Sequence, residues 1–154
     1  MGATGVGKTT VGSALAQMLD VPFVDADDLH PAANVATMSR GEPLDDADRA
    51  PWLDAVGRWL AAHPDGVAAC SALRRRYRDV LRSHAPEVRF LHLVGAADTL
   101  RPRLEQRPGH FMPGSLVASQ LATLEPLGPD EDGLELDCTQ PVEQIARVWL
   151  GTTG

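Results

Sequence analysis

The chain has 154 residues, 44% of them hydrophobic and 23% charged, an ordinary balance for one globular domain with its own core. No apolar run approaches the length of a membrane span, and the net charge of −7 argues against general nucleic-acid binding. No signal peptide is visible, so the cytoplasm is the expected location.

The chain opens on Gly2-Ala3-Thr4-Gly5-Val6-Gly7-Lys8-Thr9, which fits the phosphate-binding P-loop pattern G-x-x-x-x-G-K-[ST]. Lys8 is the only lysine; the other thirteen basic residues are arginines. A compact ammonium suits the space between β- and γ-phosphates in a way that a guanidinium fork does not. The glycines allow backbone N–H groups to curl around an anion, and the helix that follows adds its positive N-terminal end. Thr9 offers a hydroxyl to Mg²⁺, and Thr10 follows within the same phosphate-binding turn. On its own the motif indicates an NTPase, with a nucleoside triphosphate and Mg²⁺ as its expected ligands. A P-loop is expected to follow a buried β-strand, and only Met1 precedes this one.

Thr9 to Leu19 reads as a helix, with Val11, Ala14, Leu15, Met18 and Leu19 on one face. A short strand over residues 21–24 runs into the acidic turn Asp25-Ala26-Asp27-Asp28. Two carboxylates at a strand end suit metal and hydroxyl chemistry, whereas capping by Asp27 or Asp28 is the plainer alternative. His30 can hydrogen-bond a hydroxyl or serve only as a turn residue before Pro31. Pro31 to Ser39 looks helical, and Gly41-Glu42-Pro43 breaks it. Asp46 can cap a helix that carries Trp52, Leu53, Val56, Trp59 and Leu60 as core residues.

Val67 to Cys70 is a second strand, followed by a basic helix from Leu73 to Ser83. A strand over residues 88–94 and a helix over 97–106 come next, then a loop-like stretch from Arg107 to Ser115. A helix over 116–124, a strand over 134–138 and a helix over 142–150 complete the chain. Cys70 and Cys138 each end a strand and read as buried, reduced core residues. Nine of the fourteen basic residues lie between Arg74 and Arg107, and the stretch from Asp20 to Asp54 is acidic. An acidic segment for metal and hydroxyl chemistry with an arginine-rich segment for phosphates suits phosphoryl transfer; two solvated helix faces are the alternative. Strands alternating with helices imply a parallel sheet covered on both faces. The P-loop, residues 25–30 and Cys70-Ser71 then converge at the carboxyl ends of the strands.

Six segments together resemble the gluconokinase family of small kinases: MGATGVGKT (1–9), DADDLHP (25–31), GEPLDDADRAPWL (41–53), CSALRRRYRD (70–79), RPGHF (107–111) with Ser119-Gln120, and DCTQP (137–141). They stand in the family's order and span nearly the whole chain. The resemblance implies a P-loop NTPase fold, three layers α/β/α with a parallel sheet, adenylate-kinase-like or shikimate-kinase-like. It also implies a single kinase domain over 1–154 with a lid around 107–115, and it is compatible with a homodimer. Family members carry a hydrophobic strand before the Met-Gly that opens this chain. The natural protein is accordingly expected to begin roughly eight to ten residues earlier, the length of a strand and its lead-in.

The implied reaction is phosphoryl transfer from ATP to D-gluconate, giving 6-phospho-D-gluconate. Lys8 would hold the β/γ-phosphates, Thr9 and Asp25 the Mg²⁺, and Asp27 would orient or deprotonate the attacking hydroxyl. Arg49 would reach the substrate carboxylate, an ion pair with its acidic neighbours being the alternative. Ser71 and Arg74 would complete the sugar-acid pocket, while some of Arg75, Arg76, Arg78 and Arg82 would simply be solvated. Arg107 would come down from the lid on the transferring phosphate, with Arg103 a second candidate, and His110 would touch substrate or steady the closed lid. Asp137 to Pro141 would flank the adenine. The nearest rival is a kinase of the same fold for another small hydroxy acid such as shikimate. A non-catalytic nucleotide switch is a rival of another class. The Asn-Lys-x-Asp base-reading motif of guanine-specific switches is absent, because the only asparagine, Asn34, precedes Val35. An inactive, strand-deleted relic is a third.

Overall fold

A computed structural model describes residues 1–40, 42–105 and 114–152. Helix α1 (Lys8–Leu19) leaves the P-loop and leads to strand β1 (Phe23–Asp25), a 3₁₀ turn (Ala26–Leu29) and helix α2 (Ala32–Ser39). Helix α3 (Asp46–Ala62), strand β2 (Val67–Ala69), helix α4 (Arg75–His84) and strand β3 (Phe90–Val94) follow. Helices α5 (Ala97–Glu105) and α6 (Gly114–Thr123), strand β4 (Gly133–Asp137) and helix α7 (Val142–Gly151) complete the order. The alternation read from the sequence is present, with ends moved by one or two residues. The α3 cap moves as well: Asp45, not Asp46, is the N-cap. Its carboxylate accepts from Asp48 N at 2.8 Å, and the Asp48 carboxylate accepts from Asp45 N at 3.0 Å.

All described strand pairing is parallel, in two pairs. Phe23 faces Val67 where β1 meets β2, and Phe90 faces Gly133 where β3 meets β4. The opening residues of the P-loop join the two pairs. The Met1 amine donates to Leu91 O, Leu93 N donates to Met1 O at 2.9 Å, and Gly2 N donates to Ser71 O at 3.2 Å. The chain therefore enters the P-loop between β3 and the end of β2, the central place expected for the segment leading into such a loop. Behind it lies an apolar cavity of about 880 Å³ whose walls include Val11, Leu15, Val67, Phe90 and Leu91.

Two groups of buried side chains hold the layers together. One gathers Val6, Val11, Leu15, Leu93, Leu100 and Ile145, and so packs α1, α5 and α7 around β3. The other gathers Ala26, Trp52, Val56, Cys70, Leu81 and Phe90, and packs α3 and α4 over the strand ends. Cys70 and Cys138 are both free and buried, as expected for core thiols. Burial in apolar surroundings pushes the Cys70 thiol up to about 11.

The arginines of α4 are paired with carboxylates rather than left for phosphates. Within α4, Arg75 pairs with Asp130 at 2.5 Å, Arg76 with Asp46, and Arg82 with Asp79 and Asp130 at 3.4 Å each. Arg78 is not solvated at all: its side chain and that of Glu131 are fully buried and meet at 2.6 Å. These guanidiniums are occupied by carboxylates of their own chain.

Candidate active site

The P-loop turns on glycines in the left-handed region, with φ of +86° at Gly5 and +91° at Gly7, the N-cap of α1. A Cβ at Gly2 would stand 2.5 Å from Leu93 O, so only glycine admits the approach to β3. Thr4 N donates to Gln120 Oε1 at 2.7 Å, which ties the loop to α6. Lys8 Nζ donates to Ala3 O at 3.0 Å, across the turn that it would share with a phosphate.

Strand β1 delivers Asp25 to the same place. Thr9 Oγ1 donates to Asp25 Oδ2 at 2.6 Å, and Asp27 N donates to Asp25 Oδ1 at 3.1 Å. The cap of the 3₁₀ turn is thus Asp25, which corrects the alternative that gave capping to Asp27 or Asp28. Asp27 is left for other work. Burial, with the charge of Asp25 beside it, raises its carboxyl above the ordinary value. A pocket of about 270 Å³ is walled by the P-loop, Thr9, Thr10, Asp25, Asp27 and Arg103. Arg103 is braced there by donating through both terminal nitrogens to Cys138 O at 3.2 Å. That carbonyl belongs to the turn after β4, where Thr139 N and Oγ1 both donate to Asp137 Oδ1 at 2.7 Å.

A hydroxyl and a carboxylate in contact beside a phosphate loop form the hard-oxygen donor set that Mg²⁺ takes together with nucleotide phosphates. Among the described residues no three His, Cys, Asp or Glu side chains gather to hold a metal by themselves. Thr9 and Asp25 therefore fit an ion that arrives with a nucleotide.

A second cluster of candidate residues is built by the 3₁₀ turn, α2 and α3. His30 stacks on Trp52 with ring centroids 4.4 Å apart, more than the bare turn residue allowed for in its sequence context. Trp52 is anchored in turn by donating from Nε1 to Ala26 O at 2.6 Å. Arg49 donates to Leu44 O and lies over the Tyr77 ring at 5.8 Å. No carboxylate among the described residues pairs with it, so the ion pair with its acidic neighbours does not form. The charges of Asp27 and Arg49 both act on His30, which places the three in one neighbourhood. Ser71 and Arg74 stand at the end of β2, next to Gly2, around Ala72 at a strained φ of +44°. Among the described residues no side-chain hydrogen bond joins Ser71 or Arg74 to His30 or Arg49. Arg107 and His110 lie outside the described residues.

Sequence reasoning missed Asn34 as a functional candidate. It is 4% exposed and donates from Nδ2 to Asp48 O at 2.8 Å. Its position four residues after His30, in the first turn of the helix that follows, is the signal that could have found it.

The shikimate kinase family model matches residues 4–115. Thermosensitive gluconokinase of Escherichia coli (strain K12) is 42% identical over 152 residues, which covers 96% of this chain and 81% of that protein. The gluconokinase of Gluconobacter oxydans is 51% identical over 136 residues, 85% of this chain and 76% of that one. Among solved structures, a gluconokinase from Sinorhizobium meliloti 1021 superposes with a TM-score of 0.89 at 45% identity, covering 98% of this chain and 87% of that chain. Likeness of this degree over most of both chains reaches well past a shared fold, and the chain belongs to the gluconokinase family of P-loop kinases.

Proposed function

We propose that this chain is a gluconokinase that transfers the γ-phosphate of ATP to D-gluconate, giving 6-phospho-D-gluconate and ADP. The observation that carries the chemistry is the meeting of Thr9, Asp25 and Asp27 at one pocket with the P-loop, in a chain of this family. Lys8 and the loop N–H groups hold the phosphates as charge shifts toward the leaving ADP. Thr9 and Asp25 would hold Mg²⁺, which supplies electrostatic relief between phosphate oxygens when bound. Asp27 accepts a hydrogen bond from the attacking hydroxyl and takes its proton as the new P–O bond forms. Arg103, at the wall of the same pocket, offers its remaining donors to the nucleotide. Arg49, held half-buried with no acidic partner among the described residues, is available for the gluconate carboxylate. The roles of Ser71, Arg74, Arg107 and His110 rest on the family resemblance alone.

The test is ADP release by the purified chain with Mg-ATP in the presence of D-gluconate, shikimate or no acceptor. Release that depends on gluconate is expected. Release that depends on shikimate instead would move the chain to the rival hydroxy-acid kinase, and no acceptor-dependent release would leave a nucleotide-binding protein without this activity.

A further inference from the structure

The imidazole of His30 is fixed in two independent ways. Stacking on Trp52, with the ring planes 11° apart, sets its plane. Asn34 then sets which nitrogen carries the proton. Asn34 Nδ2 lies 2.8 Å from Asp48 O and 3.3 Å from His30 Nδ1. A backbone carbonyl only accepts, so the contact with Asp48 identifies the Asn34 atom facing both partners as the amide nitrogen. An NH₂ group carries two donors, one for each partner, so His30 Nδ1 must accept. In a neutral imidazole the proton is then on Nε2. Burial keeps the ring neutral by lowering its pKa, with Arg49 on α3 acting in the same direction and Asp27 on the 3₁₀ turn opposing.

We propose that Asn34 is a positioning residue that holds His30 as the Nε2–H tautomer, a hydrogen-bond donor to a hydroxyl oxygen of the sugar acid. This deepens the gluconokinase reading and rests on it. The logic is one of complementarity. The Asp27 carboxylate can only accept, and a hydroxyl that donates to it has lone pairs left for a donor. His30 with its proton on Nε2 supplies that donor beside Asp27. The opposite tautomer would present the substrate with two acceptors and leave one unpaired. Asn34 does this without touching substrate itself, and it is buried because both of its amide hydrogens are used inside the protein.

The test begins on the unaltered chain with ¹⁵N-labelled histidine, recording long-range ¹H–¹⁵N correlations at pH 8, with the His30 signals assigned from the His30→Gln variant. An unprotonated Nδ1 and a protonated Nε2 are expected. Asn34→Asp replaces the amide donor with an acceptor, so the proton should move to Nδ1. The gluconate KM should then rise about tenfold, as for a site that loses one substrate hydrogen bond, with the ATP KM changed less than about twofold. An Nδ1–H tautomer in the unaltered chain overturns the proposal, whether or not Asn34→Asp folds. A reversed tautomer with an unchanged gluconate KM overturns it too, as does a lowered Tm with both KM values intact, which would make Asn34 a structural brace. If the unaltered chain shows the Nε2–H tautomer and its reversal in Asn34→Asp yet does not phosphorylate gluconate, the tautomer assignment stands and the gluconokinase reading falls.

Discussion

Asp25 and Asp27 sit two residues apart and do different work because their surroundings differ. Asp25 receives hydrogen bonds from Thr9 Oγ1 and from Asp27 N and so is held as the cap of the 3₁₀ turn. Asp27 caps nothing, and its carboxyl is raised above its ordinary 3.8 by burial first and by Asp25 second. A base works only when deprotonated, so activity that depends on Asp27 falls as pH drops through its raised pKa. The acid limb of kcat/KM for gluconate is therefore expected above pH 3.8. Asp27→Asn should lower kcat by about 10²–10⁴-fold while leaving the Kd for nucleotide nearly unchanged. A pH–rate profile with its acid limb at or below 3.8, or an Asp27→Asn variant with undiminished kcat, would remove Asp27 from the base role. The pair was legible in the sequence because an acidic turn after a strand, downstream of a P-loop, is a short-range pattern. Which acid caps and which stays available was not legible, since that depends on Thr9 arriving from another element.

Helix α3 carries Arg49 and Trp52 toward the proposed acceptor side, so its start sets their place. Asp45 and Asp46 are both good N-cap residues by type, and composition cannot choose between them. The residue three positions on decides. The Asp48 carboxylate can accept from Asp45 N, whereas Arg49, three after Asp46, has no side-chain acceptor to offer. Freed from the cap, Asp46 accepts from Tyr77 Oη at 2.6 Å, which holds its carboxyl below the usual range and ties α3 to α4. Asp45→Ala is expected to lower stability by about 1 kcal/mol in urea denaturation, the usual worth of such a cap. Because the frayed turn holds Arg49 and the Asp48 carbonyl that anchors Asn34, the gluconate KM should rise more than the ATP KM. Equal rises in both, or none, would show that the cap does not communicate with the acceptor side.

At the scale of the whole molecule, the alternation of strands and helices was readable from hydrophobic runs and punctuating glycines and prolines. The partnering of strands was not: the three-residue β1 and β2 carry too little pattern to specify a neighbour, and the Met1–Gly2 link between the pairs is made by backbone atoms. The partners of the α4 arginines were not legible for a related reason, because sequence shows a local charge imbalance but not the carboxylates that arrive from elsewhere. Arg78 shows how far this goes. Its guanidinium, fully buried, meets both Glu131 oxygens at 2.6 and 2.9 Å and also donates to Ala72 O, Glu125 O and Pro126 O. It thereby clamps the strained turn after β2 to the segment before β4. Removing one partner of such a pair strands the other charge in the interior, so Glu131→Ala is expected to cost about 3–5 kcal/mol of unfolding free energy. The pair also fixes the sign of an acid effect. Arg78 holds the Glu131 carboxyl below its ordinary 4.5, so the stabilisation is complete above that pH and is lost as pH falls through the lowered value in the folded state. The unaltered chain should lose Tm over that acid window, and Glu131→Ala, already destabilised, should lose less over the same window. A Glu131→Ala chain within about 1 kcal/mol of the unaltered one at neutral pH would show that the clamp is dispensable, and that the turn bearing Ser71 and Arg74 is held by its packing alone.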